Sequence, residues 1–400
     1  MRNKLRCLLL FSLTLFSVHS QAADLSLKEF LMSVAGKNLT IHAEEAKLEA
    51  SQVRSVGLNI PPPVVAVSQM RDARGSANNF EVSQTIPFFT KLTNDHSARK
   101  LEAQAQEAQF SASKVEILAK ARLMYISAWL NQERIKLLQE RKSVIQRHLK
   151  LSTASARSDS FLKIHVLKAE SDSDQLDSEI IETEQLARER QISLAEYSNE
   201  DPLTFKPQLL EPELSVVPNL IDISQPLQLE VKRLSLETLK VRESEAKGAW
   251  LPDISLRYRE MGGGTVQMEK FNEVMIGVTL PFVYFWEPYA ASKSATAERY
   301  QGEAEFSKER LKISSRKATL FAKAESLKKE IILINEKLLP RAEKRMRLIR
   351  NIAPRDMESL QDHRESMEAF PLLKLKSLDL RERYEEAIAE LSGFLKEVSP

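Results

Sequence analysis

VSQTIPFF, residues 82–89, closes a run in which Phe80, Val82 and Ile86 alternate with Glu81, Ser83 and Thr85, and then stops at a proline and two phenylalanines. Apolar and polar residues alternating with period two give a β-strand one apolar and one polar face. Nearly the same ending returns as IGVTLPFV at 276–283, where Val274, Ile276, Val278 and Leu280 oppose Glu273, Gly277 and Thr279. Two strand ends of one design, set among long runs of charge and alanine, divide the whole chain.

Each ending has a strand before it. Pro61–Met70 precedes Asn79–Ile86, and Asp253–Met261 precedes Phe271–Leu280. RDARGSANN (71–79) and GGGTVQMEK (262–270) are good connecting loops. In the third strand Ile254, Leu256 and Tyr258 alternate with Ser255, Arg257 and Arg259. Strands of about 9–11 residues with such faces suit a transmembrane barrel. A soluble hairpin with one face on a core is the other reading of any single run, but the helices here are committed to one another and supply no such core. Four strands cannot close a barrel in lipid, where an unpaired edge costs several kcal/mol per backbone group and single-chain barrels start at about eight strands. The strand count therefore demands several chains.

After each Pro-Phe the strand pattern gives way to helix. From Phe88 to Asp201 there are 114 residues without proline or glycine, the two helix breakers. Within this run Leu118, Ala121, Tyr125, Ala128, Gln132 and Ile135 fall at spacings of three and four, a coiled-coil seam. One helix of that length would exceed about 150 Å, so a reversal is expected in TASARSDSF, 153–161, with arms at roughly 95–152 and 159–199. The second long hairpin turns near RNIAPRDME (350–358) and carries Tyr384, Ile388, Leu391 and Leu395 on its last arm. Pro340 and Pro371 should kink it.

The elements fall into two repeats. Residues 1–23 are a signal peptide and 24–199 the first repeat, with a helix at about 26–58 and strands at about 61–70 and 79–87. A proline-rich linker follows at 200–226, and 227–400 is the second repeat, with a helix at about 227–249 and strands at about 253–261 and 271–281. An offset of 194 superposes Pro87 on Pro281, and one of 198 superposes Arg157 on Arg355. Near-constant offsets over so many elements imply internal duplication.

Composition agrees with helix: 28% charged residues, 6% aromatic and ten glycines in 400 residues. Arg2, Lys4 and Arg6 before the apolar run Cys7–Val18, closed by Ala22 and Ala23, read as a secretory signal. The segment holds three of the 58 Lys and Arg, leaving 55 against 56 acidic residues, a balance that gives a nucleic-acid partner no support. The only cysteine, Cys7, lies inside it, too early for a lipoprotein signal, and the mature chain has no thiol for disulfide, metal or catalysis.

VSQTIPFFTK and IGVTLPFVYF at the strand ends, AEEAKLEASQVRSVGL and VRESEAKGAWLPDISL before the first and third strands, and KLLPRAEK in the second hairpin together resemble the outer-membrane efflux protein family, the TolC-like channels of Gram-negative bacteria. The short strand-end signatures and modest length are most similar to the branch associated with metal-cation and related resistance exporters. The resemblance implies a mainly helical fold with a small β part. It also implies a homotrimer in which each protomer gives four strands to one transmembrane β-barrel in outer-membrane lipid and its helices to a periplasmic α-barrel. Its partners would be a periplasmic adaptor and, through it, an inner-membrane transporter. The hairpin tips, Ala154–Asp159 and Ile352–Asp356, would meet the adaptor, and Arg157, Asp159, Arg355 and Asp356 become candidates for the tip, gate or adaptor contact. Alternatively Asp159 and Asp356 are only helix N-caps and the arginines are solvated. Neither turn has the family's glycine; Ala156 and Ala353-Pro354 stand there instead.

No catalytic constellation competes. His42, His96, His148, His165 and His363 lie on separate elements without a close pair. Gly262–Gly264 lacks the lysine of a phosphate loop and precedes a strand, and no GxSxG elbow occurs. The chain reads as a passive exit duct with no cofactor and no enzymatic activity. The rival reading is a periplasmic coiled-coil adaptor or structural protein without a membrane barrel. Such an adaptor should carry a glycine-rich β domain beside one hairpin, whereas this chain has two hairpins and little glycine.

Overall fold

A computed structural model describes residues 24–72, 75–155, 162–218, 226–264, 271–350 and 357–395. In chain order the elements are β1 (Asp24–Leu25), α1 (Leu27–Lys37), α2 (Leu39–Arg54), β2 (Val64–Asp72), β3 (Gly75–Ile86), α3 (Phe89–Ser155) and α4 (Leu162–Ser198). They continue with β4 (Gln208–Leu209), α5 (Leu227–Lys247), β5 (Ile254–Gly264), β6 (Phe271–Val278), α6 (Trp286–Leu333), α7 (Leu339–Ile349) and α8 (Met357–Ser392). The order helix, strand pair, long helical hairpin occurs twice, and helix dominates. The signal segment and both hairpin turns lie outside the described residues.

The 67 residues of α3 make it the spine, about 100 Å long at 1.5 Å per residue. Its seam is wider than a two-helix coiled coil requires. Leu118, Ala121, Tyr125 and Ala128 are buried, but Gln132 and Ile135 are only half so, and Tyr125 to Asn131 is buried at every position. The cause is the number of neighbours: Phe30, Leu31 and Val34 of α1, Leu194 of α4, Leu209 of β4 and Leu378 of α8 surround this turn and a half. A periodic seam presupposes one partner; a helix enclosed on all sides is apolar all round. A second core joins Leu320, Ala324 and Ile331 of α6 to Tyr384, Ile388 and Leu391 of α8. Where α5 crosses α6, a side chain at Gly302 would come within 2.6 Å of Leu239, so glycine sets the close approach.

Three expectations change in detail. The helix at 26–58 is two helices, because Asn38 caps a new one: its Oδ1 accepts the N–H groups of Thr40 at 3.0 Å and Ile41 at 3.2 Å, and its Nδ2 donates to Tyr197 O at 3.0 Å. The first strand begins at Val64 rather than Pro61, since prolines 61–63 have no N–H for a ladder, and pairing runs on through Arg71↔Ser76 and Asp72↔Gly75 into the stretch read as loop. At Pro340 the hairpin arm passes through a π-helical stretch, Ile334–Leu338, before α7 resumes. A proline lacks the N–H for its i−4 carbonyl and crowds it, and the wider turn just before it accommodates that ring. Pro371 lies inside α8.

The stretch read as a linker is partly docked. β4 pairs in parallel with β1, Asp24↔Gln208 and Leu25↔Leu209, and Tyr125 fixes the pair to the spine. Its hydroxyl lies 2.5 Å from Leu25 O and 2.9 Å from Leu210 O. Further along, the Tyr384 hydroxyl donates to Ser215 O at 2.7 Å, and Arg381 stacks over Trp129 at 4.8 Å. Burial pushes the Tyr125 hydroxyl up to about 12. An unfolded tyrosine ionises near 10, so above that pH the unfolded state loses its proton first and this contribution to stability declines through pH 12.

Tyr125→Phe should lower unfolding stability by about 1 kcal/mol at neutral pH, the net worth of the hydroxyl's hydrogen bonding to two part-buried carbonyls. It should also remove part of the loss between pH 10 and 12. Urea titrations followed by circular dichroism at pH 7 and 11 test both; an unchanged midpoint at pH 7 contradicts the role given to the hydroxyl.

Candidate functional site

The candidate site is the sheet carried at one end of the helices. Its strands run in the order β2-β3-β5-β6, all neighbours antiparallel. Register decides what each face displays. Val65, Val82, Tyr258 and Val274 stand opposite one another across all four strands; Gln84, Leu256 and Ile276 form the next row, and Ile86, Ile254 and Val278 the row nearest the helices. Val65, Leu256, Val274, Ile276 and Val278 are exposed, with no helix or second sheet covering them. The face expected from alternation to be apolar is therefore mostly so, with Gln84, Glu260 and Asn272 among its polar members, and no helix or second sheet covers it among the described residues.

The opposite face carries the charge. Ala66, Glu81, Arg259 and Glu273 form one row, and Val64, Ser83, Arg257 and Met275 the next. Glu81 receives Arg259 at 2.8 Å and Arg257 at 3.1 Å, while Arg259 also lies 3.7 Å from Glu273. Opposed charges at directly paired positions stabilise adjacent strands, and here they tie β3, β5 and β6 while keeping that face hydrophilic. The outer edges of β2 and β6 pair with no strand among the described residues.

One residue joins sheet to helices. Asp253, just before β5, accepts the Phe88 N–H at 3.0 Å and the Lys91 ammonium at 2.8 Å. Its own N–H donates to Thr279 Oγ1 at 2.7 Å, and its carbonyl accepts the Thr279 N–H at 2.9 Å. Both Pro-Phe junctions are thus held by a single carboxylate and its backbone. Sequence reading had placed Thr279 on the polar face of a strand; β6 ends at Val278 and Thr279 belongs to this joint.

Below the joint, PFVYFWEPY at 281–289 holds five aromatic residues in nine positions, in a chain only 6% aromatic. Phe282, Tyr284, Phe285, Trp286 and Tyr289 are all exposed, with Trp286 edge-on to Tyr284 at 5.4 Å. Alternation and helical periodicity both missed this cluster; local aromatic density is the signal that finds it. Aromatic rings of this kind flank the apolar band of membrane barrels. Arg157, Asp159, Arg355 and Asp356, the tip candidates, lie outside the described residues. Among the described residues no group of His, Cys, Asp and Glu could hold a metal ion, and no helix is long and apolar enough to cross a membrane.

No protein-family model and no curated relative matches the sequence. Solved structures do match over nearly the whole chain. CusC, described for its folding and transmembrane channel formation, is 13% identical over 95% of this chain and 95% of its own, with a TM-score of 0.75. The open state of the outer-membrane channel MtrE of Neisseria gonorrhoeae is 14% identical over 92% of this chain and 88% of its own, TM-score 0.75. The outer-membrane channel CmeC of Campylobacter jejuni is 13% identical over 92% and 85%, TM-score 0.72. The chain has the fold of these outer-membrane channels, which agrees with the mainly helical fold with a small β part that the sequence resemblance implied.

Replacing Asp253 by Ala should free both junctions. Limited proteolysis should then cut near 86–91 and 279–286 several-fold faster than in the parent protein, with helix content by circular dichroism unchanged. Equal cutting rates would remove Asp253 from the joint.

Proposed function

We propose that the chain is the exit duct of a tripartite efflux or secretion system in the outer membrane of a Gram-negative bacterium. The observation that carries this reading is the four-stranded sheet with an uncovered apolar face, a charged opposite face and two unpaired edges. In water such an apolar face is a liability, and in lipid it is at home. In lipid, however, the unpaired edges must be satisfied by other strands. Joining the β6 edge of one copy to the β2 edge of the next is a head-to-tail contact, which closes into a ring. Three copies give twelve strands, and the helices below continue as a periplasmic tunnel. The signal peptide expected at 1–23 would export the chain, and the aromatic cluster at 281–289 would sit at the periplasmic boundary of the bilayer.

On this reading the charged cluster of Glu81, Arg257, Arg259 and Glu273 lines the pore. Substrate passes without covalent chemistry or a cofactor, driven by an inner-membrane transporter that reaches the duct through a periplasmic adaptor. The tips, with Arg157, Asp159, Arg355 and Asp356, are the proposed place of gating and adaptor contact. Docking there would shift the tunnel from closed to open. An adaptor or purely structural coiled-coil protein would leave the uncovered sheet face without a purpose.

Adjacent residues on β6 test the orientation. Ile276→Lys puts a charge in the lipid-facing band at a cost of about 2–4 kcal/mol and should abolish insertion, whereas Met275→Lys faces the pore and should insert. Recovery of each in the outer-membrane fraction reads this out, and equal loss or equal recovery rejects the facing. Glu81→Gln leaves Arg257 without its carboxylate and Arg259 with Glu273 alone, and should shift the reversal potential of bilayer currents towards anions. Mature protein that stays a detergent-free soluble monomer and gives no conductance would refute the duct itself.

A further inference from the structure

At the sheet end of the helices a cavity of about 710 Å³ opens between the start of α3, the end of α5 and the first turns of α6. Strand register tells which way it faces. Asp253 and Thr279 line it. Asp253 continues the alternation of Arg259, Arg257 and Ser255, and Thr279 that of Glu273, Met275 and Gly277, which together are the charged face of the sheet. Of the five aromatic residues at 281–289, only Tyr284 lines the cavity. The cavity therefore opens on the side of the charged face, which in a duct is the passage, and away from the other four rings.

The charges of its wall are unequal. Lys91 is held by Asp253 at 2.8 Å, and Arg242 by Asp95 at 3.2 Å, Glu102 at 3.1 Å and Glu245 at 2.8 Å. Both cations of the wall are thus already engaged by carboxylates. Glu287 and Glu298 also line the cavity, and neither makes an ion pair among the described residues; Glu298 accepts the Ser294 hydroxyl at 3.1 Å. Tyr284 and Glu287, three residues apart, are neighbours on the surface at the start of α6. An aromatic ring and an unneutralised carboxylate therefore meet in one wall. Ala246 and Ala249 on one side and Ala291 and Ala295 on the other add small apolar side chains.

The geometry points to a weak binding site for organic cations in the wall of the duct, with the positive group between Glu287 and Tyr284 and the apolar body against the alanines. This rests on the reading of the chain as a duct and adds the class of cargo that pauses in it. A carboxylate attracts a cation through Coulomb's law, and the face of a tyrosine ring adds an attraction that anions and neutral solutes do not gain. The volume lies within the ~300–1,000 Å³ of small-molecule sites. An anion would meet Glu287 and Glu298 with no free cation to receive it, and a small hydrated metal ion would gain nothing from the alanine walls. Glu287 and Tyr284 are both exposed, so the bound cation stays in contact with water and leaves readily, as cargo in a passage must. Repeated around a ring of copies, the site would raise the local concentration of cations where helices give way to strands.

Calorimetric titration of the protein in non-ionic detergent with ethidium, a planar organic cation, should show saturable binding at one site per chain. Fluorescein, an anion of similar size, should show none. Glu287→Gln and Tyr284→Leu should each weaken the ethidium affinity roughly fivefold, while Tyr284→Trp, which keeps a ring face, should retain it. Glu325→Gln, which removes an exposed carboxylate elsewhere on α6, should leave the affinity unchanged. Helix content equal to the parent's by circular dichroism shows that each variant is folded. No saturable ethidium binding, equal binding of fluorescein, an affinity indifferent to Glu287→Gln and Tyr284→Leu, or equal weakening by Glu325→Gln would each overturn the site, and bilayer conductance of the same preparation would leave the duct standing. A parent protein that binds ethidium through Glu287 and Tyr284 but conducts nothing would keep the cation site and refute the duct.

Discussion

Every residue along the outer side of β2 and β6 carries an N–H or C=O that must find water or another strand, and these edges flank a sheet whose one face is apolar from Val65 to Val274. Water satisfies the edges and penalises the face; lipid does the reverse. Only an arrangement that pairs the edges while leaving the face outside satisfies both, and with four strands per chain it needs several chains. On the proposed reading, oligomerisation is the condition under which this sheet is stable in lipid, and the charged opposite face would then turn inward.

The rest of the molecule positions that sheet. An α3 of about 100 Å can hold its alignment only if its middle is gripped, and the packing of α1, α4, α8 and the β1–β4 pair around Tyr125 to Asn131 supplies the grip. The Tyr125 hydroxyl links the chain's first described residues to the connection between repeats, so both repeats are anchored to the same turn of helix. At the far end of the spine, Asp253 ties the two Pro-Phe junctions together. On the proposed reading a membrane would hold the strands fixed, and this joint would couple them to the helices below.

What could be read from the chain, and what could not, follows the range of the interaction. Strand faces were legible because period two is local: Ile254, Leu256 and Tyr258 declare their face without reference to any partner. The long helices were legible because proline and glycine are absent, and a reversal in the first was expected because one helix through all 114 residues would exceed about 150 Å. The break at Asn38 was not, since an asparagine in a polar helix becomes a cap only when Tyr197, far along the chain, accepts its amide. The two-residue β1–β4 bridge has no periodicity at all. The π-helical turn before Pro340 is a compromise between a ring and a carbonyl that keeps the helix going, where sequence rules foresee only a kink. As for the site, pattern found the sheet and missed the joint, because Asp253 and Thr279 act through single hydrogen bonds rather than through a repeated property.

The proposed closure of the sheet and the packing of the helical end differ in physics, and the difference has mechanical sense. Strand edges close by backbone hydrogen bonds in a medium that offers no competing donor or acceptor, so opening that seam is expensive at any ionic strength. The helical end carries ion pairs in water, Arg364 with Asp172 and Lys142 with Asp177, where screening over about 8–10 Å weakens each pair and where a docking partner with its own charges can compete. A duct must stay shut to its membrane surroundings at the sheet and yet yield at the end that receives cargo. A permanent hydrogen-bonded seam at one end and exchangeable ion pairs at the other would meet both demands in one chain, with α3 as the connection between them.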